Sequence, residues 1–418
     1  MTGWLIKEIA AGGAVEGEEE DQQQGSTSWI GLAIIGVLLA LLLVQGGVWI
    51  FATAIAILIC VFLHEVGHFV TARWAGMKVT QFFIGFGPRL WSFHRGEVEY
   101  GARALPLGAF VRIVGMNNLD DVAPEDEPRA FRTKSYWWRL LVMTAGSLMH
   151  FLIAILLLLG VALFHGRDES VPPAFPLQAV VDGTPAAEAG LTAGDTITTF
   201  DGVPIEDYEE LSALILEHAP GDEVVVGYER DGRPSAVTAV LAQRTLEGET
   251  TAFLGVAPTV TRHEDLGPLA AVGEGVERFW DVSTASFRSL GNFVSPSWWG
   301  EFFDHLSGET DDVSTRPSSV VGVARVGGDL GEQAGWVGFL ELVAVFNIFI
   351  GIFNLLPVLP FDGGHVVIAT YEAIRSRKGK RYYADVTKMI PVAMTVVALL
   401  SVLFLGSLYL DVFDPVGG

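Results

Sequence analysis

From Trp29 to about Leu63 almost every position is apolar. Continued to Ala75 as one helix, the run would measure about 70 Å, more than twice a bilayer core. It has to break, and Gln45-Gly46-Gly47 offers the place. The pattern predicts two membrane spans, 29–45 and 48–72. Further apolar runs predict spans over 139–164, 336–364 and 389–410, the fourth interrupted by prolines and ending in Asp362-Gly363-Gly364. Between them lie a mixed loop, 76–138, and a region of alternating strands, an amphipathic helix near 207–218 and turn signals such as Asp231-Gly232. Residues 263–335 are amphipathic and carry Phe279-Trp280 and Trp298-Trp299, which suits a helix lying at a membrane interface. Residues 1–28, with the run Glu18-Glu19-Glu20-Asp21, read as an acidic disordered tail without the basic start and cleavage site of a signal peptide.

Composition supports this outline. Half of the 418 residues are hydrophobic and the mean hydropathy is +0.42, as in an integral membrane protein with room for one soluble domain. The formal charge of −23 argues against nucleic acid as a partner. Only six of the 26 basic residues are lysine; such an acidic, lysine-poor composition resembles that of halophilic archaea, and a high-GC bacterium shares its arginine bias. The lone Cys60 excludes a disulfide framework and a cysteine zinc site.

The basic residues also orient the chain. Arg73–Arg139 carries ten Lys and Arg, and Arg375 to Lys388 six. The much longer 166–335 has nine, against a large excess of acidic residues. The positive-inside rule places the first two loops and the N-terminus in the cytoplasm and 166–335 outside.

Chemistry enters with His64-Glu65-Val66-Gly67-His68, set at the end of an apolar helix. His64 and His68 are one helical turn apart and share a face, so each can offer a nitrogen to one zinc ion. Glu65 beside them can take a proton from a water held there. The bland alternative is two helix histidines and a carboxylate satisfied by neighbours. The setting favours the metal, because ionisable groups at membrane depth are costly. A catalytic zinc takes a third protein ligand, and Asp362 is the one carboxylate in the proline-broken stretch Asn354 to Gly364.

Two resemblances follow from these residues. Pro185-Ala186-Ala187-Glu188-Ala189-Gly190-Leu191 with Gly194-Asp195-Thr196-Ile197, within 168–262, resembles the PDZ domains of bacterial-type proteases, which capture an extended peptide or C-terminus at a sheet edge. A steric spacer is the other reading. The whole of 48–410 resembles the site-2 protease family of intramembrane zinc metalloproteases. His-Glu-x-x-His and Asn-x-x-Pro-x-x-x-x-Asp-Gly both fit, with Gly85-Phe86-Gly87-Pro88, Leu105 to Val111, Ala145-Gly146 and Ser319 to Ala324 in the family's order.

The resemblance implies a polytopic α-helical membrane protein with a four-span metalloprotease core, one extra N-terminal span and an inserted α+β PDZ-like domain. It implies that His64, His68 and Asp362 bind Zn2+ and that Glu65 is the base. Substrates would be single-span membrane proteins already shortened by another protease. An extended edge around 98–114, alternating about Gly108, could hold the unwound substrate as an added strand. Asn354 would anchor a substrate oxygen or satisfy carbonyls freed by Pro357. The chain departs from the family at Met149-His150, where an asparagine is common; His150 either replaces that hydrogen bond or is a satisfied interior histidine. His365, just past Asp362, faces either the site or solvent. A membrane-anchored PDZ adaptor without catalysis is the rival reading, and it has no need of Glu65.

Overall fold

The computed structural model describes residues 29–116, 120–180, 183–230, 232–246, 249–293, 295–310, 316–376 and 381–413. The tail 1–28, Val181, Asp182 and Asp231 lie outside the described residues. The chain forms two compact units, Met1–Phe164 with Pro268–Gly418, and His165–Gly267.

In the first unit, α1 (Trp29–Trp74) is a 46-residue helix whose run is interrupted at Gly47, where φ is 76°. That left-handed conformation is open to glycine at little cost. β1 (Val79–Arg95) and β2 (Val98–Ile113) then pair antiparallel, and their register uses each strand twice. Gln81–Ile84 lies between Ala109–Arg112 on one side and Glu99–Ala102 on the other. Ala109–Ile113 is therefore an outer edge of the ribbon among the described residues. α2 (Tyr136–Phe164) follows. Ala72, Met77, Val79, Phe82, Ile113, Phe131, Val142, Met143 and Ala369 form one buried cluster that seats the ribbon on the helices.

The second unit is α+β. β3 (Arg167–Val180) pairs with β10 (Val256–Glu264), so the ribbon closes where the chain enters and leaves the unit. Between them come α3 (Pro185–Glu188), β4 (Thr196–Phe200), β5 (Val203–Pro204), α4 (Tyr208–Leu216), β6 (Glu223–Arg230), β7 (Arg233–Val240), β8 (Ala242–Leu246) and β9 (Glu249–Phe253). The central sheet runs β5-β4-β6-β7. Phe200, Leu211, Val224, Val226, Leu241 and Leu254 fill its core. Asp207 starts α4 by accepting from the Glu210 amide at 2.9 Å, while Glu210 accepts from the Glu206 amide at 2.8 Å, a reciprocal cap.

Asp195 is the buried polar anchor of this unit. It accepts from the Thr192 amide at 2.8 Å and from Arg230 Nε and Nη2, both at 2.6 Å. The Arg230 hydrogen bonds, helped by Thr192, hold its carboxyl below the usual carboxylate range. A carboxyl depressed on folding contributes stability that is present at neutral pH and is lost as pH falls through its folded value. We expect Asp195→Ala to cost about 2 kcal/mol at pH 7 and progressively less in acid. Unfolding of the full chain, followed through exchange protection of β4 and β6 between pH 7 and 3, measures it. A cost that does not shrink in acid would remove the charge from the explanation.

The first unit resumes with α5 (Pro268–Asn292), α6 (Pro296–Ser307), α7 (Val320–Asn354), α8 (Asp362–Arg375) and α9 (Ile390–Phe413). The 263–335 stretch is thus α5, α6 and the first part of α7, which is interrupted at Gly335 (φ 61°). The fourth apolar run ends its helix at Asn354; Leu355 to Phe361 form a non-helical connection, and Asp362 opens a new helix instead of closing the span. Ser319 caps α7, and Asp411 near the end of α9 accepts from the Ser319 amide at 2.7 Å and the Gly322 amide at 3.2 Å. Among the described residues four helices are long and apolar enough to cross a membrane: 35–74, 136–164, 320–354 and 386–413, the last counted from the turn before α9. α1, α2 and α7 pack on one another.

Candidate metal centre

His64 and His68 project from the same face of α1, both buried, with ring centroids 4.8 Å apart. Two glycines let them lie at a helix crossing. A Cβ on Gly67 would sit 2.7 Å from the Ala145 carbonyl oxygen, and one on Gly146 would overlap the His64 ring. These glycines therefore allow α1 and α2 to approach closely where the motif sits.

Asp362 reaches the same point from α8. Gly363 and Gly364 have no room for a side chain, because the first turn of α8 rests on the backbone of Leu355 to Leu359. Arg139 on α2 then ties α8 in place: its Nη2 donates to the buried Glu372 carboxylate at 2.7 Å, and Glu372 also accepts from the Ala384 amide at 2.7 Å.

The three ligand atoms converge. His64 Nε2 and His68 Nε2 are 3.1 Å apart, and Asp362 Oδ2 is 3.4 Å from the first and 3.2 Å from the second. Ligands at ordinary zinc bond lengths in a tetrahedral site lie about 3.4 Å apart, so the set fits a small cation. The hydrogen bonding agrees. His68 Nδ1 donates to the Val142 carbonyl at 2.7 Å, which turns the Nε2 lone pair inward. Asp362 Oδ2 is buried without a hydrogen-bond donor. Two imidazole nitrogens and a carboxylate oxygen that face one buried point suit a cation there.

Glu65, half-buried, faces the backbone amide of Val111, on the outer edge of the ribbon. Gly108 is buried, with the Phe86 ring where its Cβ would be, so it serves close packing and offers no open contact surface. Of the expected edge 98–114, Glu99–Ala102 is paired with β1 on both sides, whereas Ala109–Ile113 is paired with β1 once. Asn354 is half-buried at the end of α7, before the connection that delivers Asp362. His150 is buried, with its ring 5.0 Å from that of His64, and its Nδ1 is 2.7 Å from Asn347 Oδ1. It is a satisfied interior histidine. His365 is buried and does not face solvent.

Asn347 is the residue that sequence reading missed. Its Oδ1 accepts from His150, and its Nδ2 donates to the Val343 carbonyl at 2.7 Å and to Cys60 Sγ at 3.1 Å, linking α7, α2 and α1 beside the metal-site histidines. An amide in the middle of an apolar span was the available signal. Cys60, buried in α1, is the acceptor of that bond.

We expect Gly146→Ala to displace the His64 ring and weaken zinc retention by about tenfold or more. Zinc per chain after dialysis against graded chelator is the measurement; a retention curve matching wild type would mean the crossing tolerates a methyl group.

These features define a polytopic helical membrane protein with a metallopeptidase-type centre. Residues 52–398 match peptidase family M50, and the chain belongs to that family, the site-2 zinc metalloproteases. It is 33% identical over 403 residues to zinc metalloprotease Rip1 of Mycolicibacterium smegmatis, covering 88% of this chain and 98% of that protein. Rip1 of Mycobacterium tuberculosis strain H37Rv is 33% identical over 396 residues, covering 87% and 96%. A putative zinc metalloprotease, R01501 of Rhizobium meliloti, is 29% identical over 337 residues, covering 76% and 85%. Among solved structures, the PDZ domain of an SdrC-like protein from Listeria monocytogenes is 25% identical, covering 22% of this chain and 93% of that domain with a TM-score of 0.19. The protein is a zinc metalloprotease of the membrane, acting on peptide or protein substrates.

Proposed function

We propose that the protein hydrolyses peptide bonds within the transmembrane segments of single-span membrane proteins already shortened by another protease. The observation that carries this reading is the convergence of His64, His68 and Asp362 within 3.4 Å of one another at a buried point among apolar helices, with Glu65 alongside.

His64, His68 and Asp362 would hold the zinc. When bound, zinc supplies a Lewis acid that brings the pKa of water to about 7. Glu65 takes a proton at its carboxylate and returns it to the leaving amine, which keeps the site neutral through the turnover. The substrate arrives as a helix whose backbone bonds are internally satisfied, so it must unwind before attack. Ala109–Ile113 pairs with β1 and runs beside Glu65, and a substrate strand laid along it would compensate for the helical hydrogen bonds given up. Asn354, at the helix end, would donate its amide to a substrate oxygen.

The N-terminus and the two basic loops would lie in the cytoplasm, and 166–335 outside. There the 168–262 unit would take up a peptide or C-terminus as a PDZ domain does, at a sheet edge. α5 and α6 would rest at the lipid surface: Leu269, Trp280, Phe287 and Phe303 are exposed large apolar side chains on these two helices.

The test is cleavage of a model single-span substrate by the full chain in detergent with zinc, the cut bond being mapped by mass spectrometry. A cut within the apolar segment, accelerated by glycine or proline placed beside it, is the expected result. No cleavage, or cuts confined to the flanking loops, would favour the adaptor reading.

A further inference from the structure

A second group of metal-type donors lies within the other unit, on residues that the proposed reaction does not use. The rung Asp168–His263 pairs directly across β3 and β10, and the next rung outward pairs Arg167 with Glu264. Opposed residues on antiparallel strands have Cβ atoms about 5 Å apart, and here the His263 Nδ1 lies 2.8 Å from Asp168 Oδ1. Gly166 brings in the third side chain. It sits at φ 83° with the Glu264 carbonyl where a Cβ would be, so the chain turns tightly against β10 just before β3 begins. His165, on the other side of that turn, has its ring centroid 5.0 Å from that of His263 and its Nε2 3.8 Å from Asp168 Oδ2.

We propose that His165, Asp168 and His263 form a binding site for a second divalent transition metal, of the imidazole-preferring class to which zinc belongs. One donor atom from each lies within 4.8 Å of the others. The set is looser than the His64 centre, but 36% to 54% of each side chain is exposed, so small χ rotations bring the donors to coordination distance. Two imidazoles and one carboxylate leave a position for water, and they match zinc, copper or nickel better than calcium or magnesium. Asp265 Oδ1, 3.6 Å from His263 Nε2, adds negative charge on the same side. Arg167, on the adjacent rung, is engaged with Glu264 at 2.9 Å. The metal would close the ribbon at the point where the unit's chain begins and ends, restraining all of 168–263 with one cross-link.

The test is a zinc titration of the chelator-stripped full chain in detergent, read with a competing zinc dye. We expect two equivalents for wild type, and one for each of His165→Gln, His263→Gln and the near-isosteric Asp168→Asn. His68→Ala should also bind one equivalent, retained at the second site, and His68→Ala with His263→Gln none. If wild type binds one equivalent that His68→Ala abolishes and His263→Gln does not, the second site is refuted and the first stands. If all three ribbon variants keep the wild-type number, the second site is refuted as well. If wild type binds one equivalent that His263→Gln abolishes and His68→Ala does not, the ribbon site stands and the His64 centre is refuted.

Discussion

Glu65→Gln is expected to lower cleavage of a transmembrane substrate by about 10³-fold or more and to leave the zinc in place. Glutamine keeps the shape of the side chain and its contact with the Val111 amide, but it cannot accept the proton that hydrolysis releases. The metal-binding set does not include Glu65, since the three converging atoms belong to His64, His68 and Asp362. Loss of rate with zinc retained therefore separates a base from a ligand. Turnover of the model substrate and zinc per chain, measured on the same preparation, decide it. Equal activity in the variant would remove Glu65 from the mechanism, and lost zinc would make it structural.

Asp362→Ala has the second large effect, on the metal itself. Without the carboxylate two imidazoles remain, and such a pair lacks both the third bond and the negative charge that offsets a dication in a buried site. Most of the zinc at this centre should be lost, and activity with it. Asp362→Asn, which keeps the shape and loses the charge, should fall between. Zinc content after mild chelation, in a chain that also carries His263→Gln so that one centre is counted, reads the effect. Unchanged content would mean that the third ligand lies elsewhere.

Much of this centre was legible in the sequence because its parts announce themselves chemically. Two histidines a turn apart, an adjacent glutamate and one carboxylate among prolines in an apolar stretch have few bland explanations at membrane depth. Periodicity also located the apolar helices, since a bilayer fixes their minimum length. Helix ends were harder, because they depend on packing. α7 begins at Val320 and is capped by Ser319, held in turn by Asp411 from the far end of the chain, a partnership that no local pattern encodes. The double use of β1, paired on both sides by β2, was equally hidden. It is why Glu99–Ala102 lies inside the ribbon while Ala109–Ile113 lies at its outer side. Asn347 escaped notice because its partners, His150 and Cys60, lie 197 and 287 residues away in sequence. The glycines at 67 and 146 gave a composition signal only; their role needs the crossing of α1 and α2 to be seen.

The most direct measurement is the position of zinc itself, from anomalous diffraction at the zinc edge on crystals of the metal-loaded full chain. The proposed centre requires a peak about 2.0–2.2 Å from His64 Nε2, His68 Nε2 and a carboxylate oxygen of Asp362 together. Zinc held by the histidines while Asp362 stays several ångströms off, or no peak between them, would contradict it.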